Sequence, residues 1–213
     1  MTVRHNRKAI WGWALYDWAN SAFATTVMAG FFPVFFTQFW SVGADPNLTN
    51  ARLGYGNAAA GLLVAAFAPF LGAMADGGGS RKRFLALFTT VGVAATATLF
   101  WLPQGQWPGA ILTYGLGVIG FSGALIFYDA LLPLVARGKD LDRVSALGYA
   151  SGYLGGGLLF LVNVIMTQKP QWFGLANATT AVQWSFLTVA IWWGLFSLAT
   201  FGWVSEPAKP RRI

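Results

Sequence analysis

The chain has 213 residues, 56% of them hydrophobic and only 10% charged, with 14 basic residues, 7 acidic ones and a net charge of +7. A soluble domain carries about 25% charge, so this is the composition of an integral membrane protein. The absence of cysteine excludes disulfides, thiolate metal sites and cysteine nucleophiles, and the single histidine, His5, excludes histidine-based triads and paired-histidine zinc sites. No metal or other cofactor is implied. The positive charge does not point to nucleic acid: it is distributed by membrane topology, and anionic lipid headgroups are the matching partner.

Six apolar stretches have the roughly 20 residues that a spanning helix needs: 11–40, 53–75, 84–102, 110–136, 145–166 and 181–204. Helix is expected in each, because lipid leaves backbone polar groups no other partner, and none alternates like a barrel strand. The first follows Arg4, Arg7 and Lys8, which has the outline of a signal peptide. It is far longer than a signal core and contains Asp17 and Asn20, so it is read as a retained helix with Pro33 as a bending point.

Lys and Arg set the orientation. Alternate connections carry Arg4, Arg7 and Lys8, then Arg81, Lys82 and Arg83, then Arg137, Lys139 and Arg143, then Lys209, Arg211 and Arg212. The other two of the 14, Arg52 and Lys169, lie in opposite connections. Both termini are therefore expected in the cytoplasm, in a plasma (inner) membrane. Between the second and third stretches, Gly77, Gly78 and Gly79 break the helix and the basic triplet holds the turn on the cytoplasmic side. Asp76 sits at the hydrocarbon rim, where a charge needs an answering partner.

The second stretch carries Gly61 and Ala65 among other small residues, and the fifth carries Gly148, Gly152 and Gly156 at four-residue spacing. Such faces allow close helix approach in lipid. The third and sixth lack them, and the sixth is rich in tryptophan. Stretches two and five are accordingly expected to pack against protein, and three and six to face lipid.

Two acids, Asp17 and Asp129, lie well inside apolar stretches, about 10 Å from the cytoplasmic helix ends at 1.5 Å per residue. No Lys, Arg or His lies at that depth. Asn20 and Ser21 follow Asp17 at i+3 and i+4, Tyr149, Tyr153 and Asn163 form a stripe on the fifth helix, and Asn57 adds an amide from the second. These groups either line a water-accessible cavity or act as hydrogen-bonding glue between helices. Intramembrane charge is costly enough that two acids at matched depth favour the cavity.

Gly72, Asp76, Gly79, Arg81 and Lys82 resemble the loop motif G-x-x-x-D-R-x-G-R-R of the major facilitator superfamily, with Gly77 replacing the usual Arg and Ser80 delaying the basic pair. Three further segments are similar to its vacuole-effluxer branch: Tyr16-Asp17-Trp18-Ala19-Asn20-Ser21-Ala22-Phe23, Phe127-Tyr128-Asp129-Ala130-Leu131-Leu132-Pro133, and Asp142-Arg143-Val144-Ser145 through Gly152-Tyr153-Leu154-Gly155-Gly156. The resemblance implies an all-α membrane protein forming one six-helix bundle, half of a twelve-helix fold with a cavity between its halves. It implies a secondary transporter, symporter or antiporter, of a small solute, with amino acids suggested by analogy; Asp17 and Asp129 are the expected proton carriers, and no enzyme is expected.

Within that frame the expected path residues are Asp17, Asn20, Ser21, Asn57, Tyr128, Asp129, Tyr149, Tyr153 and Asn163. The turn motif forms the gate, with Asp76 meeting the N-terminal end of helix five, near Ser145, from a second subunit. Gly61, Ala65, Gly148, Gly152 and Gly156 form the seam with a second bundle. The simplest second bundle is another copy, in a homodimer. The alternatives are a separate chain or longer protein that supplies the second half, and a non-transporting membrane scaffold.

Overall fold

The computed structural model describes residues 6–77 and 79–207. Within them the chain is all-helical, with six helices long and apolar enough to cross a membrane. They are α1 (Arg7–Trp40), α2 (Pro46–Asp76), α3 (Arg81–Trp101), α4 (Trp107–Val135), α5 (Asp140–Gln168) and α6 (Ala178–Trp203). The chain is a multi-pass membrane protein. Gly78, His5 and the charges of Arg4, Lys209, Arg211 and Arg212 lie outside the described residues.

The helices start earlier than their apolar stretches because polar residues cap them. Asn6 accepts the Lys8 amide at 3.1 Å, Asp45 accepts those of Asn47 and Leu48 at 2.9 and 3.1 Å, and Asn177 accepts that of Thr180 at 2.9 Å. Each cap satisfies an amide that the first helical turn leaves unpaired. Hydrophobicity cannot reveal such turns, since they stand in the polar headgroup zone.

Two prolines shape the helices that matter most. Around Pro33, α1 widens into π-helix at Phe23–Phe31 and Phe36–Trp40, with the Phe32 amide bonded to the Val27 carbonyl and the Ser41 amide to that of Phe36 at 2.9 Å. The expected bend thus appears as two wide-turn segments flanking the proline. In α4, Pro133 has no amide to offer the Asp129 carbonyl four residues back, and its ring would strike it. The regular helix ends at Asp129, and a turn at Ala130 and Leu131 precedes a last helical turn, Leu132–Val135. The helix break therefore falls beside an intramembrane acid.

α1 packs between α5 and α6, and the contact with α5 is close because glycines face it. A Cβ at Gly148 would stand 2.6 Å from Trp13, one at Gly152 2.7 Å from Ser21 Oγ, and one at Gly156 2.9 Å from the Ser21 carbonyl. The stripe expected to form a seam between bundles is used inside this one, against α1. Gly61 has nothing near it, and both it and Ala65 are exposed. α2 rests mainly on α4 and is the least covered helix, so protein packed on its small face would have to come from outside this bundle; Leu62 is 71% exposed and Phe70 69%. Near its start, the Arg52 guanidinium lies 4.0 Å from the Trp107 ring centroid, a cation–π contact that pins α2 to α4.

The sixth helix also departs from expectation. Trp193 is fully buried against Gly92 of α3 and the Phe23 ring, 5.5 Å away between centroids, while Ile191, Leu195 and Leu198 stand outward. One face of α6 thus belongs to the core and only the other faces lipid. α3 divides likewise, with Leu85 and Thr89 inward and Leu87 outward.

The α1–α5 contact makes a direct forecast. Gly156→Leu has no room and should destabilise the bundle by about 1–3 kcal/mol. Gly157→Leu, one residue on with open space around it, should be neutral or slightly stabilising. Thermal unfolding of the two variants in one detergent would separate them, and equal transitions would show that the glycine stripe does not set the spacing.

Candidate functional site

Three helices enclose a cavity of about 530 Å³. α1 contributes Trp13, Asp17, Ser21, Ala24 and Thr25, α4 contributes Phe121, Leu125, Tyr128, Asp129 and Leu132, and α5 contributes Ser145, Tyr149, Gly152 and Tyr153. Each set repeats at three and four residues, so each is one helical face. Asp17 accepts the Ser21 hydroxyl at 3.3 Å. The Thr25 hydroxyl reaches the Ser21 carbonyl at 3.0 Å and crosses to the Gly156 carbonyl at 3.2 Å, which ties the α1 wall to the α5 wall. Among the described residues no cation lines the cavity. Tyr149 and Tyr153 stand on its rim, 66% and 78% exposed, and the side beyond them is open.

Aromatic packing sets the floor. The Trp13 and Tyr128 rings are stacked with centroids 4.4 Å apart and planes 9° from parallel, and Tyr16 also stacks on Tyr128, at 5.1 Å. The Trp13 indole donates to the Tyr128 carbonyl at 3.0 Å, at the point where the Pro133 break loosens the α4 ladder. Tyr16 in turn exchanges a 2.7 Å hydrogen bond with Thr89 of α3. The Tyr128 hydroxyl is buried beside the cavity and has no partner among the described residues.

Six of the nine expected path residues therefore meet in one place: Asp17, Ser21, Tyr128, Asp129, Tyr149 and Tyr153. The other three do not. Asn20 is 1% exposed and falls in the strip Tyr16, Asn20, Phe23 and Val27, which faces the bundle core rather than the cavity. Asn163 is fully buried and accepts the Thr188 hydroxyl of α6 at 3.0 Å, so it is interhelical glue. Asn57 is exposed on α2, and α2 lends the cavity no wall. Trp13, Thr25 and Ser145 are additions that repeating the helical spacing from Asp17 and Tyr149 would have found.

The turn motif is built into the basic end of the bundle. Gly79 takes φ of +75°, a conformation that favours glycine. Arg81 Nε donates to the Ala75 carbonyl at 2.7 Å, closing α2 onto α3. Glu206, which follows α6, accepts the Arg81 and Lys82 amides at 2.9 and 3.1 Å and so caps α3. Lys82 Nζ answers by donating to the Phe201 and Val204 carbonyls at 2.7 and 2.6 Å, capping α6. Two helix ends of opposite sign are thus neutralised by one acid and one base. Asp76 is exposed and, among the described residues, has no partner. The helix end it was expected to meet begins at Asp140 rather than near Ser145, and its first turn already holds Asp140 and Asp142.

A sequence model of the vacuole effluxer Atg22-like family matches residues 5–52 and 47–212. This chain belongs to that family. It is 38% identical over 188 residues to a Bacillus subtilis protein named as an uncharacterized MFS-type transporter, YxiO, covering 87% of this chain and 44% of the relative. It is 30% identical over 169 residues to an uncharacterized protein of Aquifex aeolicus, covering 77% of this chain and 40% of that one. The chain thus spans less than half the length of these curated relatives. The family is one of transport proteins rather than enzymes.

The reciprocal caps yield a stability forecast. Glu206→Ala and Lys82→Met should each lower stability by about 1 kcal/mol, the usual weight of a helix cap. Ser205→Ala should leave it unchanged. Detergent-solubilised variants compared by thermal unfolding would show it, and identical transitions for all three would remove the caps from the account.

Proposed function

We propose that the chain is one half of a secondary transporter of the major facilitator type, and that the cavity between α1, α4 and α5 is one side of the path of a small solute. The observation that carries this reading is the presence of two carboxylates, Asp17 and Asp129, in one cavity with an open side. Against acyl chains they would cost several kcal/mol in all, so a second six-helix bundle covers them. The exposed faces of α2 and α5 offer it a surface, with Gly61 and Ala65 on the α2 side. The transporter named among the relatives supports the same reading.

The identity of the second bundle follows from two opposing considerations. A homodimer, with its two-fold axis along the membrane normal, is the simplest arrangement for a chain acting alone. It has lost one support, since Gly148, Gly152 and Gly156 are already packed on α1. The greater length of the relatives favours the alternative, a second bundle of different sequence from a longer protein or a separate chain.

In this reading the basic end lies in the cytoplasm of a plasma membrane. The two bundles rock about the cavity to give alternating access. Asp17 and Asp129 carry protons, because the water reaching them changes as the cavity opens to one side or the other. Asp76 is the free acid of the gate. With no cation lining the cavity, a neutral, zwitterionic or cationic solute fits and a strongly anionic one does not. Amino acids are the class that the family's name suggests, carried by symport or antiport.

Liposomes loaded with a pH-sensitive dye test the proposal when amino-acid mixtures are added outside. Solute-dependent proton movement is expected, falling more than tenfold in the Asp17→Asn/Asp129→Asn double variant. Asp76→Ala should slow exchange and leave its coupling intact. A double variant coupled as well as the wild type would remove the acids from proton transfer. Flux that none of these variants alters, for any solute, would favour the scaffold. Mass measurement in lipid nanodiscs addresses the second bundle: two bundles per particle are expected wherever flux persists, and flux from lone six-helix subunits would sink the half-transporter reading.

A further inference from the structure

A second concavity lies at the basic end of the bundle, separate from the cavity. It is a groove of about 840 Å³ between the first turns of α1 and α5, lined by Arg7, Ile10, Trp11, Asp140, Arg143, Val144, Ala146 and Leu147. None of these residues lines the cavity. On α1, Arg7 and Trp11 lie eleven and seven residues before Trp18, which places all three on one helical face. Trp18 stacks on Trp192 of α6 at 5.6 Å, and its carbonyl accepts the Trp192 indole at 3.2 Å. That face therefore points between α5 and α6, about 100° around α1 from Asp17 at 100° per residue. The groove therefore lies on a different face of α1 from the cavity.

Its chemistry is divided along its length. Arg7 and Arg143 are exposed, and the remaining charged group, Asp140, is engaged in an interaction of its own. Two guanidiniums against one carboxylate leave the wall net positive. Below the arginines, Ile10, Val144 and Leu147 give an apolar floor, and Trp11 stands 51% exposed at the level where indoles favour the membrane interface. Guanidinium pairs match the oxygens of a phosphodiester, and an apolar floor beneath them suits acyl chains rather than a free ion.

We infer that this groove is a binding site for one anionic phospholipid, its phosphodiester held between Arg7 and Arg143 and its chains laid along Ile10, Val144 and Leu147. Its orientation toward lipid rests on the two-bundle reading, whereas the binding itself is measured without any transport assay.

The test is native mass spectrometry of the purified full chain in neutral detergent, titrated with phosphatidylglycerol or phosphatidylcholine. The wild type should prefer phosphatidylglycerol by about tenfold or more, given the roughly tenfold-scale attraction that two basic groups near a membrane surface supply. Arg7→Gln/Arg143→Gln should abolish that preference. Arg137→Gln/Lys139→Gln removes the same charge at the same end but outside the groove, and should keep it. Millimolar inorganic phosphate should not displace the lipid. Equal binding of the two lipids by the wild type would overturn the proposal. So would equal loss in both double variants, which would mark a diffuse surface potential, or displacement by phosphate, which would mark a free-anion site. A groove variant that unfolds is replaced by Trp11→Ala/Leu147→Ala, in which phosphatidylglycerol should bind several-fold more weakly; unchanged binding there would also count against the site.

Discussion

Hydrocarbon cannot solvate a carboxylate, and this constraint organises the bundle. Asp17 and Asp129 stand on different helices, and both walls turn them toward the same space. That convergence needs α1 and α5 close together, which the glycine stripe allows, and α4 interrupted at the right residue, which Pro133 imposes. Trp13 joins the two arrangements: its ring packs against Gly148 and Tyr128 while its indole bonds the carbonyl beside the break. Both acids therefore line the same open-sided cavity.

The two ends of the molecule solve a different problem, that of helix termini. At the basic end, Glu206 and Lys82 exchange roles, the acid capping one helix start and the base capping one helix finish. Each charge meets backbone groups of the opposite partial sign, so the pair stabilises both ends without itself forming an ion pair. Asp76 is left out of this arrangement. Asp76 is exposed and, among the described residues, without a partner; under the proposed function its partner belongs to the second bundle.

Much of the fold is legible in the sequence. Six apolar stretches give the six helices, since length and apolarity are local properties that lipid enforces. Asp17, Asp129, Ser21 and the three tyrosines, six of the nine residues named for the path, share one cavity. The failures have one cause: the sequence gives helical periodicity but not which neighbour each face meets. Asn20 lies at the margin between two faces of α1, and the large Tyr16 and Phe23 beside it draw that margin into the core. Gly148, Gly152 and Gly156 form a close-approach face, and the helix that approaches is α1 of the same bundle rather than one of a second bundle. The Glu206 cap carried no signal at all, because an acid in a polar segment after a helix is indistinguishable from a solvated one until the fold brings α3 beside it.

The cavity and the glycine stripe together change the argument about what covers the acids. Had Gly148, Gly152 and Gly156 faced outward, self-association by close glycine packing would have been the natural cover. Instead the outward face of α5 mixes large residues, Tyr149, Tyr153, Leu154 and Leu161, with the small Ala146, Ala150 and Gly157. Large side chains on a helix face leave grooves that a partner must fill with complementary shapes. Under the proposed function, a two-fold axis can set the small α2 face around Gly61 and Ala65 opposite Tyr149 and Tyr153, and a bundle of different sequence can place small residues there as well. Under that reading, the shape of the exposed faces thus fits either kind of second bundle.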